Sequence, residues 1–361
     1  MTKRIGVITG GGDCPGLNAV LRAVVKTAKG KYGYDVIGFR DGYRGLVCND
    51  YVEFRSNDVS GILDKGGTIL GSSNRDNPFS FRVEREGKVE FVDMSDRVLD
   101  NVHMHDIDCM VLIGGDGTLT SARDFARKGL NVIGVPKTID NDLSATDTTF
   151  GFMTAVDTAT EALDKLHSTA ESHHRIMILE LMGRYAGWIA LESGIAGGAD
   201  VILIPEIPYD INKVCEKITE RRKAKKGFSI IAVAEGAKSI SGEVVISKIL
   251  KDSPDPIRLG GIGVKLADDI EKVLDVETRV TVLGHLQRGG RPVPSDRILS
   301  TRYGVAAVEF IDKGMFGTMV SLQGNEIKCV PLEDAVGKLK TVDPKGELVR
   351  IAKSVGVGFG D

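Results

Sequence analysis

The chain has 361 residues, a hydrophobic fraction of 42% and a formal charge of −3 from 47 basic and 50 acidic side chains. That length suits about two domains, the balanced charge gives no general attraction to nucleic acid or to an anionic membrane, and no apolar run approaches the roughly 20 residues of a membrane span. The five cysteines (Cys14, Cys48, Cys109, Cys215, Cys329) lack metal-like spacing and read as reduced structural thiols of a cytoplasmic protein, with no signal-peptide pattern before the first strand.

Residues 4–9 (RIGVIT) read as a short buried strand. Gly10, Gly11, Gly12 and Asp13 follow as a glycine turn, a helix is predicted over 17–29, and the next strand over 35–39. Residues 41–75 carry two glycine-rich loops, DGYRGL and GGTILGSSNR. Arg75 ends the second, where a guanidinium could clamp phosphate oxygens; a solvated loop arginine is the competing reading. The charged stretch 81–108 reads as a surface connection.

Residues 109–142 are the most informative. An apolar run (109–113) leads to Gly114, Gly115, Asp116 and Gly117, then a helix over 119–128, a second apolar run (132–135), and Pro136, Lys137, Thr138, Ile139, Asp140, Asn141, Asp142. This is a βαβ unit whose two loops leave the carboxyl ends of parallel strands, where open α/β sheets bind ligands. A glycine turn entering a helix lets backbone amides approach an anion such as phosphate. Asp116 can reach a Mg²⁺ ion that phosphates also hold. Of Asp140 and Asp142, one can take a proton from a hydroxyl nucleophile while the other serves the metal or orients the loop. The stretch alone suggests phosphoryl transfer to an alcohol.

Beyond it, 151–169 has helical apolar periodicity through Phe152, Val156, Ala159, Leu163 and Leu166. Arg175, a strand over 176–181, the loop Met182, Gly183, Arg184, a helix over 186–195 and a strand over 201–204 form a further βαβ unit. His173 and His174 read as loop residues. A charged amphipathic helix (211–226) and a buried strand (228–234) ending at Glu235 come next, then the unpatterned stretch 239–258 and a helix over 265–274. A strand over 278–283 runs into GHLQRGGRPVPSDR, where Arg279 and Arg288 flank His285. That basic glycine loop suits a phosphorylated substrate; a turn with surface arginines is the plainer alternative. A helix over 298–313, short strand-like pieces and a mobile-looking glycine-rich tail (355–361) close the chain. The expected fold is α/β, with two doubly wound Rossmann-like domains and the active site in the cleft between them.

The motifs ITGGGDCPGLN, GGTILGS, IGGDGT, PKTIDND, ESHHRI, ELMGRYAGW, AVAEG and TVLGHLQRGG occur in this order. Together they resemble the 6-phosphofructokinases, from the N-terminus to about residue 320; GGDGT alone also occurs in NAD kinases and lipid kinases. The resemblance implies a glycolytic, cytoplasmic enzyme that moves the terminal phosphoryl group of ATP to the 1-hydroxyl of fructose 6-phosphate, with Mg²⁺. It implies a donor-nucleotide and Mg²⁺ domain over 1–150 (completed by a segment returning near 278–320), a sugar-phosphate domain over 151–277, and a C-terminal extension over 321–361. Asp140 matches the base, Asp116 and Asp142 the acidic groups around Mg²⁺, and Thr138 a contact of the transferring phosphoryl group. Gly12, Arg75, Gly115, Asp116, Gly117 and Thr118 would hold the donor. Thr138, Ile139, Asp140, Arg175, Met182, Gly183, Arg184, Glu235, Arg279, His285 and Arg288 would hold fructose 6-phosphate, Arg184 also serving catalysis. Arg175 and Arg279 match positions that cross a subunit interface in this family, which implies a homotetramer or at least a homodimer.

Two positions in the family separate ATP from pyrophosphate users, and here they are mixed: Gly117 and Lys137. The pair resembles a long-chain group of the family, many members of which use ATP. An aspartate at 117 would put bulk and negative charge where the α-phosphate of ATP must pass. Lys137 adds positive charge near the terminal phosphates without excluding ATP. ATP is therefore the expected donor and pyrophosphate the alternative. A non-catalytic sugar-phosphate sensor, a remoter alternative, would be expected to lose Asp116, Asp140 or Asp142, and all are present. An NAD-dependent dehydrogenase would carry GxGxxG, but Gly10 and Gly12 are followed by Pro15. Arg22, Lys26, Lys225 and Lys226 keep the basic character of the family's effector site, but His167 replaces an effector-binding arginine, so no effector is assigned.

Overall fold

The computed structural model describes residues 2–85, 87–242, 245–249 and 257–361. The chain divides into two compact units. One comprises residues up to Thr138, Leu143–Gly151 and Arg288–Leu339; the other comprises Ile139–Asp142, Phe152–Gln287 and Lys340–Asp361. The chain thus re-enters the first unit at Arg288, after strand Thr278–Val282, and the segment after 320 is divided between the two.

The first unit is built on a seven-stranded sheet in the order Glu326–Pro331, Thr318–Gln323, Val132–Pro136, Cys109–Gly114, Arg4–Thr9, Asp35–Phe39, Tyr51–Glu53. The five inner strands are parallel and both edge strands antiparallel. From Arg4–Thr9 the chain moves one way across the sheet, and from Cys109–Gly114 the other. The order therefore reverses between these two strands, and ligands bind outside the carboxyl ends at such a switch point. Ile5, Val7, Ile8 and Met110 to Ile113 are all buried, the continuous apolar pattern of parallel strands covered on both faces.

Helices Leu17–Thr27 and Pro294–Asp312 pack together in this unit through Gly304. A Cβ there would lie 2.6 Å from the Ala23 Cβ and 2.7 Å from the Val20 carbonyl oxygen.

The second unit carries a wholly parallel four-stranded sheet in the order Thr278–Val282, Ile176–Leu181, Ser229–Ala234, Val201–Leu203. Ile178, Leu203, Ile231 and Val233 bury against Ile218, Leu266 and Ile270 from the flanking helices. Glu180, buried within its strand, accepts hydrogen bonds from the Gly261 N–H at 2.9 Å and the Gly263 N–H at 2.8 Å. A carboxylate at the start of helix Ile262–Val273 complements the orphan amides and the positive end of the helix dipole.

Some expectations need correction. The stretch 81–108 holds a hairpin (Phe81–Arg85 with Lys88–Val92) and a helix (Ser95–Met104) with Val98, Asn101 and Val102 buried. Its charges lie on the outer faces and hide the inner ones. The loops of 41–75 include helix Tyr43–Cys48 and strand Tyr51–Glu53. The helix from Leu17 ends at Thr27 and continues as a π-helical turn, Ala28–Tyr32.

The tail is anchored. Gly358 bridges Val201, its carbonyl accepts from the Ile202 N–H at 2.9 Å, and Phe359 is buried. Part of the unpatterned stretch 239–258 lies outside the described residues. All five cysteines are free. Among the described residues no helix is long and apolar enough to cross a membrane.

The contact at Gly304 yields a stability prediction. Gly304→Val should lower the unfolding free energy by about 1–3 kcal/mol, the usual cost of overpacking, seen as a lower urea midpoint. An unchanged midpoint would contradict the packing described.

Candidate active site

At the switch point the two glycine turns pack against each other. The Gly10 N–H donates to the Ile113 carbonyl at 2.8 Å, and the Gly11 N–H to that of Ser73 at 2.9 Å. Gly11 has φ +79°, a conformation costly for other residues. A Cβ on Gly10 would lie 2.6 Å from Thr118 Oγ1, and one on Gly114 only 2.3 Å from Thr118 Cβ. Thr118 thus occupies the space that the glycines leave. Lys137 is buried and donates from Nζ to the Gly12 carbonyl at 2.6 Å, tying the end of the third central strand to the first turn. Arg288 lies on the other side of that turn: Nη1 donates to the Asp13 carbonyl at 3.2 Å and stands 2.9 Å from where a Gly12 Cβ would be. Burial pushes the neighbouring Cys14 thiol up to about 12, so it stays neutral.

Helix Asp116–Arg127 starts at Gly115 with no side-chain cap, leaving its first amides for an incoming anion. Gly117 is exposed, and a Cβ placed on it meets no atom within 4 Å. The Asp116 carboxylate accepts from the Gly337 N–H at 3.1 Å. Among the described residues no cluster of three or more ligating side chains could hold a metal by itself. A lone carboxylate beside uncapped helix amides fits Mg²⁺, which keeps waters and substrate oxygens in its shell. Arg75 is exposed at the end of the loop that carries Ser73.

The acidic loop Ile139–Asp142 belongs to the second unit. Ile139, Asp140 and Asn141 are buried, so Ile139 offers a ligand only its backbone. Asn141 has φ +51° and Arg184 φ +50°, uncommon for residues with side chains and frequent at functional sites. Arg184 follows Met182 and Gly183 at the carboxyl end of Ile176–Leu181. Its N–H donates to Glu235 Oε1 at 3.1 Å. Gly236 permits this turn: a Cβ there would lie 1.8 Å from the Arg184 carbonyl oxygen.

Burial pushes the Glu235 carboxyl up to about 7; the Arg184 N–H opposes this, and the charges of Asp140 and Glu180 add to it. His285 is exposed in the short helix Gly284–Arg288 that follows Thr278–Val282. Met182, Gly183, Arg184, Glu235 and His285 therefore follow the carboxyl ends of three adjacent parallel strands.

Arg175 and Arg279 lie elsewhere. Arg175 precedes Ile176 and donates from Nε to Glu277 Oε2 at 2.6 Å; Arg279 also pairs with Glu277 and donates from Nη1 to the Thr278 carbonyl at 2.8 Å. Both sit towards the amino ends of their strands, and the length of Ile176–Leu181 separates Arg175 from Arg184 by about 17 Å at 3.3 Å per residue. A cavity of about 440 Å³ opens on this amino edge, with His174, Arg222, Lys225, Lys226, Asp275 and Glu277 in its wall.

Sequence reasoning missed the residues that brace the acidic loop. The Lys340 N–H donates to the Asp142 carbonyl at 2.8 Å, and Glu206 Oε1 accepts from the Val342 N–H at 2.8 Å. No motif marks them, because their partners are remote in sequence.

Fold and site define a protein of the doubly wound α/β class with two glycine turns and an uncapped helix start at the switch point of its first sheet. The family model Phosphofructokinase matches residues 4–311. The chain is 64% identical over 361 residues, 99% of either chain, to ATP-dependent 6-phosphofructokinase 2 of Clostridium perfringens. It is 51% identical over 358 residues, 99% of this chain and 100% of the relative, to the pyrophosphate–fructose 6-phosphate 1-phosphotransferase of Streptomyces coelicolor. The solved phosphofructokinase of Saccharomyces cerevisiae superposes with a TM-score of 0.79 at 32% identity, over 98% of this chain and 46% of the yeast chain, so this chain spans just under half of it. The chain belongs to the phosphofructokinase family.

The raised Glu235 carboxyl has a stability consequence. Its folded value near 7 lies above its ordinary value of 4.5, so the folded state holds a proton between these limits and loses stability as pH rises through that window. Glu235→Gln removes the penalty. The variant should match the wild type below about pH 5 and exceed it at pH 8 by on the order of 2–3 kcal/mol, measured by urea unfolding at both pH values. An equal difference at both would contradict this.

Proposed function

We propose that the chain transfers the terminal phosphoryl group of ATP to the 1-hydroxyl of fructose 6-phosphate, giving fructose 1,6-bisphosphate and ADP. The observation that carries the donor assignment is Gly117, an exposed position in the first turn of an uncapped helix with no atom within 4 Å of a would-be Cβ. It leaves room for a nucleotide's α-phosphate. The amides of Gly115, Asp116, Gly117 and Thr118 hold the donor's phosphates, with Gly12 and Arg75 bordering them. Lys137 holds the first turn in place and supplies positive charge beneath it. Asp116 and Asp142 are the residues that would hold Mg²⁺, and the ion would supply charge neutralisation.

Asp140 takes the proton from the attacking hydroxyl. Thr138 contacts the transferring group, and Arg184 offsets charge as it develops. Positioning and charge neutralisation are what phosphoryl transfer needs, since little covalent chemistry falls to the protein. Met182, Gly183, Arg184 and Glu235 bind the sugar, with the backbone of Ile139. His285 and Arg288, joined by Arg175 and Arg279, bind its 6-phosphate by charge-assisted hydrogen bonds.

Arg175 and Arg279 lie at the opposite strand ends from Arg184 and His285 within one chain. This supports a homo-oligomer, dimer or tetramer, in which a second copy lends these arginines. A cytoplasmic location accords with five free thiols. Pyrophosphate is the second reading for the donor. It is favoured by the buried Lys137 ammonium at the first turn and by the name of the Streptomyces relative.

Two substitutions test these roles. Gly117→Asp should fold normally, because no atom crowds the position. Its turnover with ATP should fall by about 10²-fold or more, as when charge is misplaced against a transition state, with a smaller loss for pyrophosphate. Equal losses with both donors would remove Gly117 as the selector. Asp140→Ala should lower kcat by about 10²–10⁴-fold, the range for a general base, with little change in the KM for fructose 6-phosphate. An active variant would exclude Asp140 as the base.

A further inference from the structure

Lys340 lies 199 positions after Asn141, outside every motif, yet it grips the acidic loop within the second unit. Its N–H donates to the Asp142 carbonyl at 2.8 Å and its ammonium to Asn141 Oδ1 at 3.3 Å. On the far side, the indole N–H of Trp188 donates to the Lys340 carbonyl at 2.9 Å, and the ammonium stands 5.3 Å from the indole centroid, within cation–π range. Glu206 fastens the same frame. Its Oε1 accepts from the Val342 N–H at 2.8 Å and from the Gly187 N–H, just before Trp188, at 2.9 Å.

The residue so held is a strained one. Asn141 adopts φ +51°, a left-handed conformation uncommon outside glycine that persists where its surroundings impose it. A bond to its side chain and another to the next carbonyl impose it from both ends. Asp140 and Asp142 flank Asn141, so the directions of both carboxylates depend on that turn.

We infer that Lys340 is a positioning residue: it clamps the turn at Asn141 and so orients Asp140 towards the hydroxyl it deprotonates. This rests on the kinase reading above. Trp188 is the only tryptophan in the chain, so its emission reports on the clamp directly and does not require turnover.

The test uses the full chain with Lys340→Met, which keeps both backbone hydrogen bonds and most of the side-chain volume but removes the ammonium, and Lys340→Arg, which keeps the charge. Lys340→Met should change the Trp188 emission and lower kcat by about 10–100-fold, as expected for slight misplacement of a reacting group. The KM for fructose 6-phosphate and the melting temperature should stay near the wild-type values, and Lys340→Arg should recover most of the turnover. Wild-type kcat in Lys340→Met overturns the inference, as does a joint fall in kcat, substrate affinity and thermal stability that arginine does not rescue. If Lys340→Met does not fold, Trp188→Phe removes the indole N–H donor and puts a smaller ring in place of the indole beside the ammonium. A reduced kcat at unchanged KM then supports the positioning role, and full activity overturns it. A wild type inactive with fructose 6-phosphate and either donor would refute the kinase reading alone. Unaltered Trp188 emission in Lys340→Met would refute the clamp alone.

Discussion

Strands Arg4–Thr9 and Cys109–Gly114 end side by side, and the turns at their carboxyl ends can pack together only because they lack side chains. Gly10 and Gly114 both face Thr118, and a methyl group on either would overlap it. This close approach places two backbone turns at the point where strand order reverses, beside the uncapped start of helix Asp116–Arg127. Lys137 spans from the next strand to the Gly12 carbonyl and holds the first turn down. The phosphate binding proposed for the first unit therefore rests on backbone geometry, with charge added by few side chains. Gly117 differs from these glycines in that nothing in the fold demands it. Its lack of a side chain is best explained by a ligand.

The second unit uses side chains instead. Adjacent parallel strands end in Arg184, Glu235 and His285, whose chemistry suits a phosphorylated polyol: a cation, a carboxyl with a value near 7 and an imidazole. Arg184 adopts its unusual backbone because Gly236 leaves room for its carbonyl and Glu235 accepts its N–H. Strain at Arg184 and Asn141 lies where the chemistry is proposed, the common location of tolerated strain in enzymes.

Features carried by neighbouring residues were legible from the sequence. The two doubly wound sheets followed from apolar runs ending in glycine turns, and the family from short ordered motifs. Features that depend on remote partners were not. The helix within 81–108 shows a charged outer face in sequence, while its Val98 and Val102 gain meaning only once they pack into the core of the first unit. Glycines in 355–361 suggested mobility, but Gly358 joins strand Val201–Leu203 and Phe359 is buried. Arg175 and Arg279 were identifiable by type. Their place on the amino edge, bound to Glu277, emerges only from strand direction. Lys340 had no local signal, since Asn141 and Trp188 are distant along the chain.

The central claim is that glycine turns open at Gly117 accept a nucleotide donor for transfer to a sugar phosphate. The most direct measurement is the initial rate of fructose 1,6-bisphosphate formation by the purified chain from fructose 6-phosphate, with ATP or pyrophosphate as donor at matched Mg²⁺. The account predicts faster turnover with ATP. Faster turnover with pyrophosphate would contradict it.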